Sequence, residues 1–213
     1  AVLDAAILGL MAGTVQVRAG AADSRKELSL AEEQAILPDT GRILPAGSPE
    51  MTAEEGKENS RFAAPGSVVA LTFDDGPHKI YTKQLLDGLR ERGIHATFFL
   101  MGENLEGNEA LVRQMRQDGH LIGNHSFCHV KLTQAGAEAV CQDVEKTGEM
   151  IKALTGQYPQ YLRPPYGDWN EELEERLDLE TVFWTVDSLD WKLQNTEKIV
   201  KRVEKSVQNG DII

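Results

Sequence analysis

The sequence predicts an α/β domain built on a parallel sheet, open or closed into a barrel. Two observations carry that expectation. From Gly66 onward, short apolar strand-like runs alternate with amphipathic stretches of helical period. Within that region Asp74, Asp75, His125, Tyr166 and Asp187 fall at the ends of the strand-like runs. Parallel α/β sheets and barrels carry their sites at those ends.

In chain order, Val68 to Phe73 (VVALTF) is a buried strand, and Tyr81 to Arg92 a helix with Leu85, Leu86 and Leu89 on one face. Gly93 ends that helix. Ala96 to Met101 (ATFFLM) is the next strand. Asn108 to Asp118 is the next helix, with Leu111, Val112 and Met115 inward and Gly119 as its stop. Leu121 to Asn124 is a third strand. Thr133 to Leu154 is a long helix with Ala137, Val140, Val144, Ile151 and Leu154 on one stripe, closed by Gly156. Tyr161 to Tyr166 is extended, because Pro164 and Pro165 disfavour helix in the residues before them. A brief helix over Glu171 to Leu177, a strand over Thr181 to Val186 and a helix over Thr196 to Val207 follow. Asp211 to Ile213 opens one more strand.

The first 64 residues have a different texture. Ala5 to Gly13 (AAILGLMAG) is apolar but too short to span a bilayer. It reads as the tail of a signal-peptide core or of an N-terminal membrane anchor, the alternative being an Ala-rich stretch of no consequence. From residue 14 to about 64 the chain is rich in Ala, Gly, Glu, Pro and Ser and has no sustained period, as in a linker or stalk. A short helix from Ser29 to Leu37, capped by Ser29 with Glu32, fits there.

The 213 residues suffice for one domain with its own core. Apolar residues make up 41% and charged residues 26%, as in ordinary globular chains. A net charge of −12 argues against a nucleic-acid partner. Cys128 and Cys141 are too few for a disulfide framework and leave the compartment open.

Four segments carry chemistry. Asp74-Asp75-Gly76-Pro77 places two carboxylates after an apolar strand. Neighbouring strand residues point opposite ways, but a turn at Gly76 can bring both to one pocket; the plainer alternative is a polar turn capping the next helix. His125-Ser126-Phe127-Cys128-His129 sets two imidazoles four apart. On a helical backbone they would share a face and could share a metal; otherwise they are two loop histidines. Two His and one carboxylate leave positions open for water and substrate, the catalytic pattern. Zn²⁺ suits these ligands, with Co²⁺, Fe²⁺ or Ni²⁺ as substitutes. The second carboxylate is then free to act as base.

Arg163-Pro164-Pro165-Tyr166-Gly167 is a stiff segment whose backbone N–H could face a developing oxyanion, while Arg163 could pair with a carboxylate. As a bare motif it is equally a structural Pro-Pro turn. In Asp187-Ser188-Leu189-Asp190-Trp191 the acids could orient Arg163 or a catalytic acid. Trp191 could stack on a sugar ring or simply pack in the core.

In this order, TFDDGP (Thr72 to Pro77), HSFCH, RPPYG and DSLDW resemble the first four motifs of the NodB-type polysaccharide deacetylases, carbohydrate esterase family 4. The likeness is greatest to the peptidoglycan N-acetylglucosamine deacetylases of Gram-positive bacteria and covers about residues 66 to 213. It implies a distorted (β/α)7 barrel and a divalent metal, usually zinc, held by Asp75, His125 and His129. Asp74 would be the base and Arg163 its orienting partner. The Tyr166 N–H would stabilise the oxyanion, Asp190 would join the polar network around the acid, and Pro165, Tyr166 and Trp191 would line the sugar groove. The family's fifth motif, a Leu-x-His bearing the general acid, has no counterpart before Ile213. The expectation is therefore a deacetylase domain over 65–213, truncated at its C-terminus, behind an N-terminal signal or anchor remnant and linker over 1–64. It would act on a polymeric glycan at a bacterial surface. Chitin or acetylated xylan as substrate, or a non-catalytic surface glycan-binding module, are the alternatives.

Overall fold

The structure, a computed structural model, describes residues 68–213 and, ahead of them, the backbone of Gln16–Val17 (β1). The segments expected as a signal or anchor remnant, the linker and the Ser29 to Leu37 helix lie outside the described residues. β1 pairs in parallel with Val68–Val69 (β2).

The rest is a parallel sheet flanked by helices. Thr72–Gly76 (β3), Thr97–Leu100 (β4), Leu121–Asn124 (β5), Tyr161–Leu162 (β6) and Glu180–Thr181 (β7) lie side by side in chain order, every pair parallel. All four residues of β4 are buried, as expected of a strand covered on both faces. The sheet then returns on itself. Beyond β7 the Val182 N–H still donates to Leu162 O (2.8 Å), and Thr185 and Val186 N–H donate to Ile212 O (2.9 and 3.0 Å). On its other side this last segment binds the first strands: Ala70 N–H to Asp211 O (2.8 Å), Ile213 N–H to Ala70 O (2.9 Å) and Thr72 N–H to Ile213 O (2.8 Å). A ring of backbone hydrogen bonds is thereby closed, leaving few ladder groups unpaired.

The helices are Tyr81–Glu91 (α1), Glu109–Gln117 (α2), Ala137–Thr155 (α3), Glu171–Arg176 (α4), Asp190–Leu193 (α5) and Thr196–Ser206 (α6). The predicted apolar faces are the buried ones: Leu85, Leu86 and Leu89 on α1, Val112 and Met115 on α2, Val140, Val144 and Ile151 on α3. α1 and α2 end in the same way. Gly93 (φ +62°) and Gly119 (φ +80°) take the left-handed position, and the next residues, Ile94 and His120, donate back five positions to Leu89 O and Met115 O.

Four expectations need correction. The run Val68 to Phe73 is not one strand: the chain shifts neighbours at Ala70, which bridges to Ile212. The helix expected from Thr133 begins at Ala137. Leu132–Gln134 is a separate 3-10 turn, because Ala135 and Gly136 are extended (ψ 156° and 139°) and part it from the helix; the Thr133 N–H donates to the Asp168 carboxylate (2.8 Å). Tyr161 to Tyr166 is extended only as far as Pro164. Pro165–Gly167 folds into a 3-10 turn with Tyr166 at φ +61°. Thr181 to Val186 is regular strand only at its start, since its later residues bond the 211–213 segment singly. The short helix α5 was not foreseen.

Candidate metal centre and active site

Most candidate residues lie at or just beyond the C-terminal end of a strand: Asp74 and Asp75 in β3, His125 and His129 after β5, and Arg163, Pro165 and Tyr166 after β6. At the end of β3 the register against β4 shifts between Phe73 and Gly76. Asp75 takes a left-handed conformation (φ +65°). Strict alternation is thus broken at the two adjacent carboxylates.

Asp74 is bound by Arg163, whose Nη1 donates to its Oδ1 at 2.9 Å. Arg163 is 2% exposed. Its remaining donors go to Thr72 Oγ1 (2.7 Å), Val182 O (3.1 Å) and Phe183 O (3.5 Å), and its guanidinium lies 4.2 Å over the Phe99 ring. Burial pulls its pKa below the ordinary value, opposed by the Asp74 charge. A buried cation held on all sides is a fixed electrostatic partner for the more exposed carboxylate.

Asp75 meets the two histidines. Its Oδ1 stands 3.2 Å from His125 Nε2 and 3.1 Å from His129 Nε2. With a proton on Nε2, the hydrogen bond from His125 holds the Asp75 carboxyl below the usual range, against the effect of burial. One ligand atom from each of the three residues lies within 4.8 Å of the others, a possible metal-binding site. The fit to a cation rests on the His125 tautomer. Its Nδ1 is 2.6 Å from Arg163 O, which can only accept, so Nδ1 carries the hydrogen. The Nε2 lone pair of the neutral ring then faces a carboxylate oxygen. Two lone pairs at this separation repel unless a proton or a metal ion lies between them.

The two histidines do not share a helix face. Residues 125–129 form a loop in which Ser126 (φ +63°) and His129 (φ +54°) are both left-handed. The loop is shaped by side chains. Asn124 Oδ1 accepts the Ser126 N–H (2.9 Å), Ser126 Oγ accepts the His129 N–H (3.2 Å), and Asp143 Oδ2 on α3 accepts the Phe127 N–H (2.6 Å). The four-residue spacing pointed to convergence, but a pair of sharp reversals achieves it.

The Tyr166 ring packs edge-on against His129, with centroids 4.6 Å apart, and is 62% exposed. Together with Val130, Lys131, Gln134 and Ala135 these two residues line an open cleft of about 600 Å³. Pro165 is buried behind Tyr166. Asp190 and Trp191 stand on α5. Asp190 Oδ1 accepts from Ser188 Oγ (2.8 Å), and Trp191 is 70% exposed. Among the described residues no hydrogen bond or ion pair joins Asp190 to Asp74, Arg163 or the Asp75–His125–His129 group. The sequence reading missed Thr72, Asn104, Asn124, Asp143 and the Thr133–Asp168 pair. Apart from the local Asn124–Ser126 turn, each acts by a contact made across the fold, and such a contact has no local sequence mark.

A parallel α/β sheet closed on itself, with two carboxylates and two imidazoles at its C-terminal edge, defines an α/β barrel with a candidate metal-dependent site. The polysaccharide deacetylase family model matches residues 63–182, more than half of the chain, and the chain belongs to that family. It is 34% identical over 172 residues to the peptidoglycan-N-acetylglucosamine deacetylase PgdA of Listeria monocytogenes, covering 81% of this chain and 35% of that one. The chain thus spans about a third of that relative's length. It is 36% identical over 149 residues to a chitooligosaccharide deacetylase of Rhizobium leguminosarum bv. trifolii, covering 68% and 69% of the two. The solved structure of the peptidoglycan deacetylase PdaC from Bacillus subtilis superposes with a TM-score of 0.68 at 37% identity, over 69% of this chain and 73% of that one.

Proposed function

We propose that this protein is a metal-dependent hydrolase that removes N-acetyl groups from polymeric N-acetylglucosamine, with peptidoglycan as its substrate, at the outer surface of a bacterium. One observation carries the reading: a carboxylate fixed by a buried arginine stands next in the chain to an Asp–His–His group in which both imidazole Nε2 atoms face one carboxylate oxygen. The relatives' names supply the substrate class.

Asp75, His125 and His129 would hold the cation, zinc by the donor set. When bound, it supplies Lewis acidity to the acetyl carbonyl and to the attacking water. Asp74 accepts the water's proton, and Arg163 keeps that carboxylate aimed. The Tyr166 N–H, presented by the left-handed turn, donates to the oxyanion that develops on the acetyl carbonyl oxygen. The C–N bond then breaks, the amine takes a proton, and acetate leaves. Among the described residues, the protonated Asp74 carries a transferable proton; the family resemblance assigns the donor to a histidine of the fifth motif. Trp191 and Tyr166 offer exposed aromatic surface for the sugar chain, and the Asp190 role stays tied to the acid.

The test is acetate release by the zinc-loaded full-length gene product from peptidoglycan, chitin oligomers and acetylated xylan. Peptidoglycan is expected to be the preferred substrate. Asp74→Asn is expected to lower the rate by about 10² to 10⁴, the usual worth of a positioned acid–base group, and His125→Ala to remove the zinc-dependent release. Equal release by wild type and both variants would overturn the mechanism, and preference for xylan would overturn the substrate.

A further inference from the structure

The turn that follows β4 touches both halves of the candidate metal centre. Met101 N–H donates to Gly76 O (2.9 Å) on the Asp75 side. Gly102 and Glu103 N–H donate to Ser126 O and Phe127 O (both 3.0 Å) on the histidine side. All of these are backbone bonds, available to any sequence. One side chain adds to them: Asn104 Nδ2 donates to Asp75 O at 2.9 Å, with Met101 Sδ at 3.7 Å from the same nitrogen. Asn104 is itself tied down, since Asn108 Nδ2 donates to its carbonyl at 2.9 Å.

The carbonyl that Asn104 holds belongs to a residue with φ +65°. A left-handed conformation costs a non-glycine residue about 1–2 kcal/mol, and it persists only where the surroundings impose it. Asp75 must keep it, because the unusual φ turns its carboxylate toward His125 and His129 and away from the face a regular strand would give it. We propose that Asn104 is a positioning residue for the metal centre: by pinning the Asp75 carbonyl it fixes the Asp75 carboxylate for the cation without touching the ion. The proposal rests on the reading of Asp75, His125 and His129 as cation ligands and not on the identity of the substrate. Groups one step behind the ligands commonly set metal affinity by a factor of about 10 to 100.

The experiment measures Zn²⁺ affinity by competition with a chromophoric chelator, on the purified protein. Asn104→Ala and the near-isosteric Asn104→Leu are expected to bind Zn²⁺ about tenfold more weakly than wild type. Asn108→Ala loosens the same turn without touching Asp75, and is expected to stay within about twofold of wild type if the effect runs through the Asp75 carbonyl alone. Far-ultraviolet circular dichroism confirms that each variant is folded. Wild-type Zn²⁺ affinity in both Asn104 variants overturns the proposal. So does an equal loss in Asn108→Ala, which would mark a general loosening of the turn. His125→Ala serves as the reference: if it too binds Zn²⁺ like wild type, the metal-site reading has failed, a result distinct from failure of the Asn104 role.

Discussion

At His125 a backbone carbonyl decides which nitrogen is free, and with it what the residue can bind. Arg163 O takes the Nδ1 hydrogen and leaves Nε2 as a lone pair. His120 shows the opposite use of an imidazole. It is 2% exposed, its Nδ1 accepts the Ala96 N–H (3.1 Å), and its Nε2 has no partner among the described residues. Burial pushes its pKa from 6.5 down to about 4. The unfolded chain therefore takes up a proton on acidification that the folded protein refuses. The His120 contribution to stability is complete above pH 6.5 and is lost as pH falls toward 4, by up to about 3 kcal/mol. Replacing His120 with Asn keeps a side-chain acceptor for Ala96 and removes the titration. Urea unfolding of His120→Asn at pH 7 and pH 4.5 should show a smaller acid-induced loss than wild type, and an unchanged loss would exclude His120 as the source.

Among the elements, the helix ends fix where each strand re-enters the sheet. Gly119 ends α2 two residues before β5, and its left-handed backbone reverses the chain into that strand. A Cβ at this position would lie 3.2 Å from His95 Nε2, so crowding adds to the unfavourable φ. Gly119→Ala is expected to cost about 1–2 kcal/mol, visible as a lower urea midpoint with an unchanged slope. β4 and β5 depend on a different close approach. A Cβ on Gly123 would meet the Phe99 ring at 2.5 Å, and that ring lies beneath the Arg163 guanidinium. The support beneath the Asp74–Arg163 pair thus reaches into the strand core.

The whole molecule couples the site to its stability, because the three candidate ligands come from two strand-end loops that zinc would join. A ligand that binds only the folded state at a hundredfold excess over its Kd adds about 2.7 kcal/mol. For a domain of this size that raises the melting temperature by roughly 5–10 °C. Wild type is expected to show this rise with Zn²⁺ and to lose it on chelation. His125→Ala should show little change in either direction, and a full zinc-dependent rise in that variant would place the ion elsewhere. No helix among the described residues is long and apolar enough to cross a membrane.

By itself the sequence determined the parallel α/β class, the buried faces of α1, α2 and α3, and the glycine stops. Periodicity and left-handed caps are local properties of the chain. It also picked out Asp74, Asp75, His125, His129 and Arg163, since residue types at strand ends and four ordered motifs stay visible without a structure. Only the tertiary structure decided how these groups meet. The two histidines converge through left-handed reversals at Ser126 and His129, not along a helix. At a register shift in β3, Asp74 meets Arg163 and Asp75 meets the two histidines. The ring closes where residues 211–213 bind both Ala70 and Thr185. Asn104, Asp143 and Asp168 act on loops 16 to 35 residues away in the chain. Their hydrogen bonds are set by which strand ends lie side by side, and only the folded sheet fixes that.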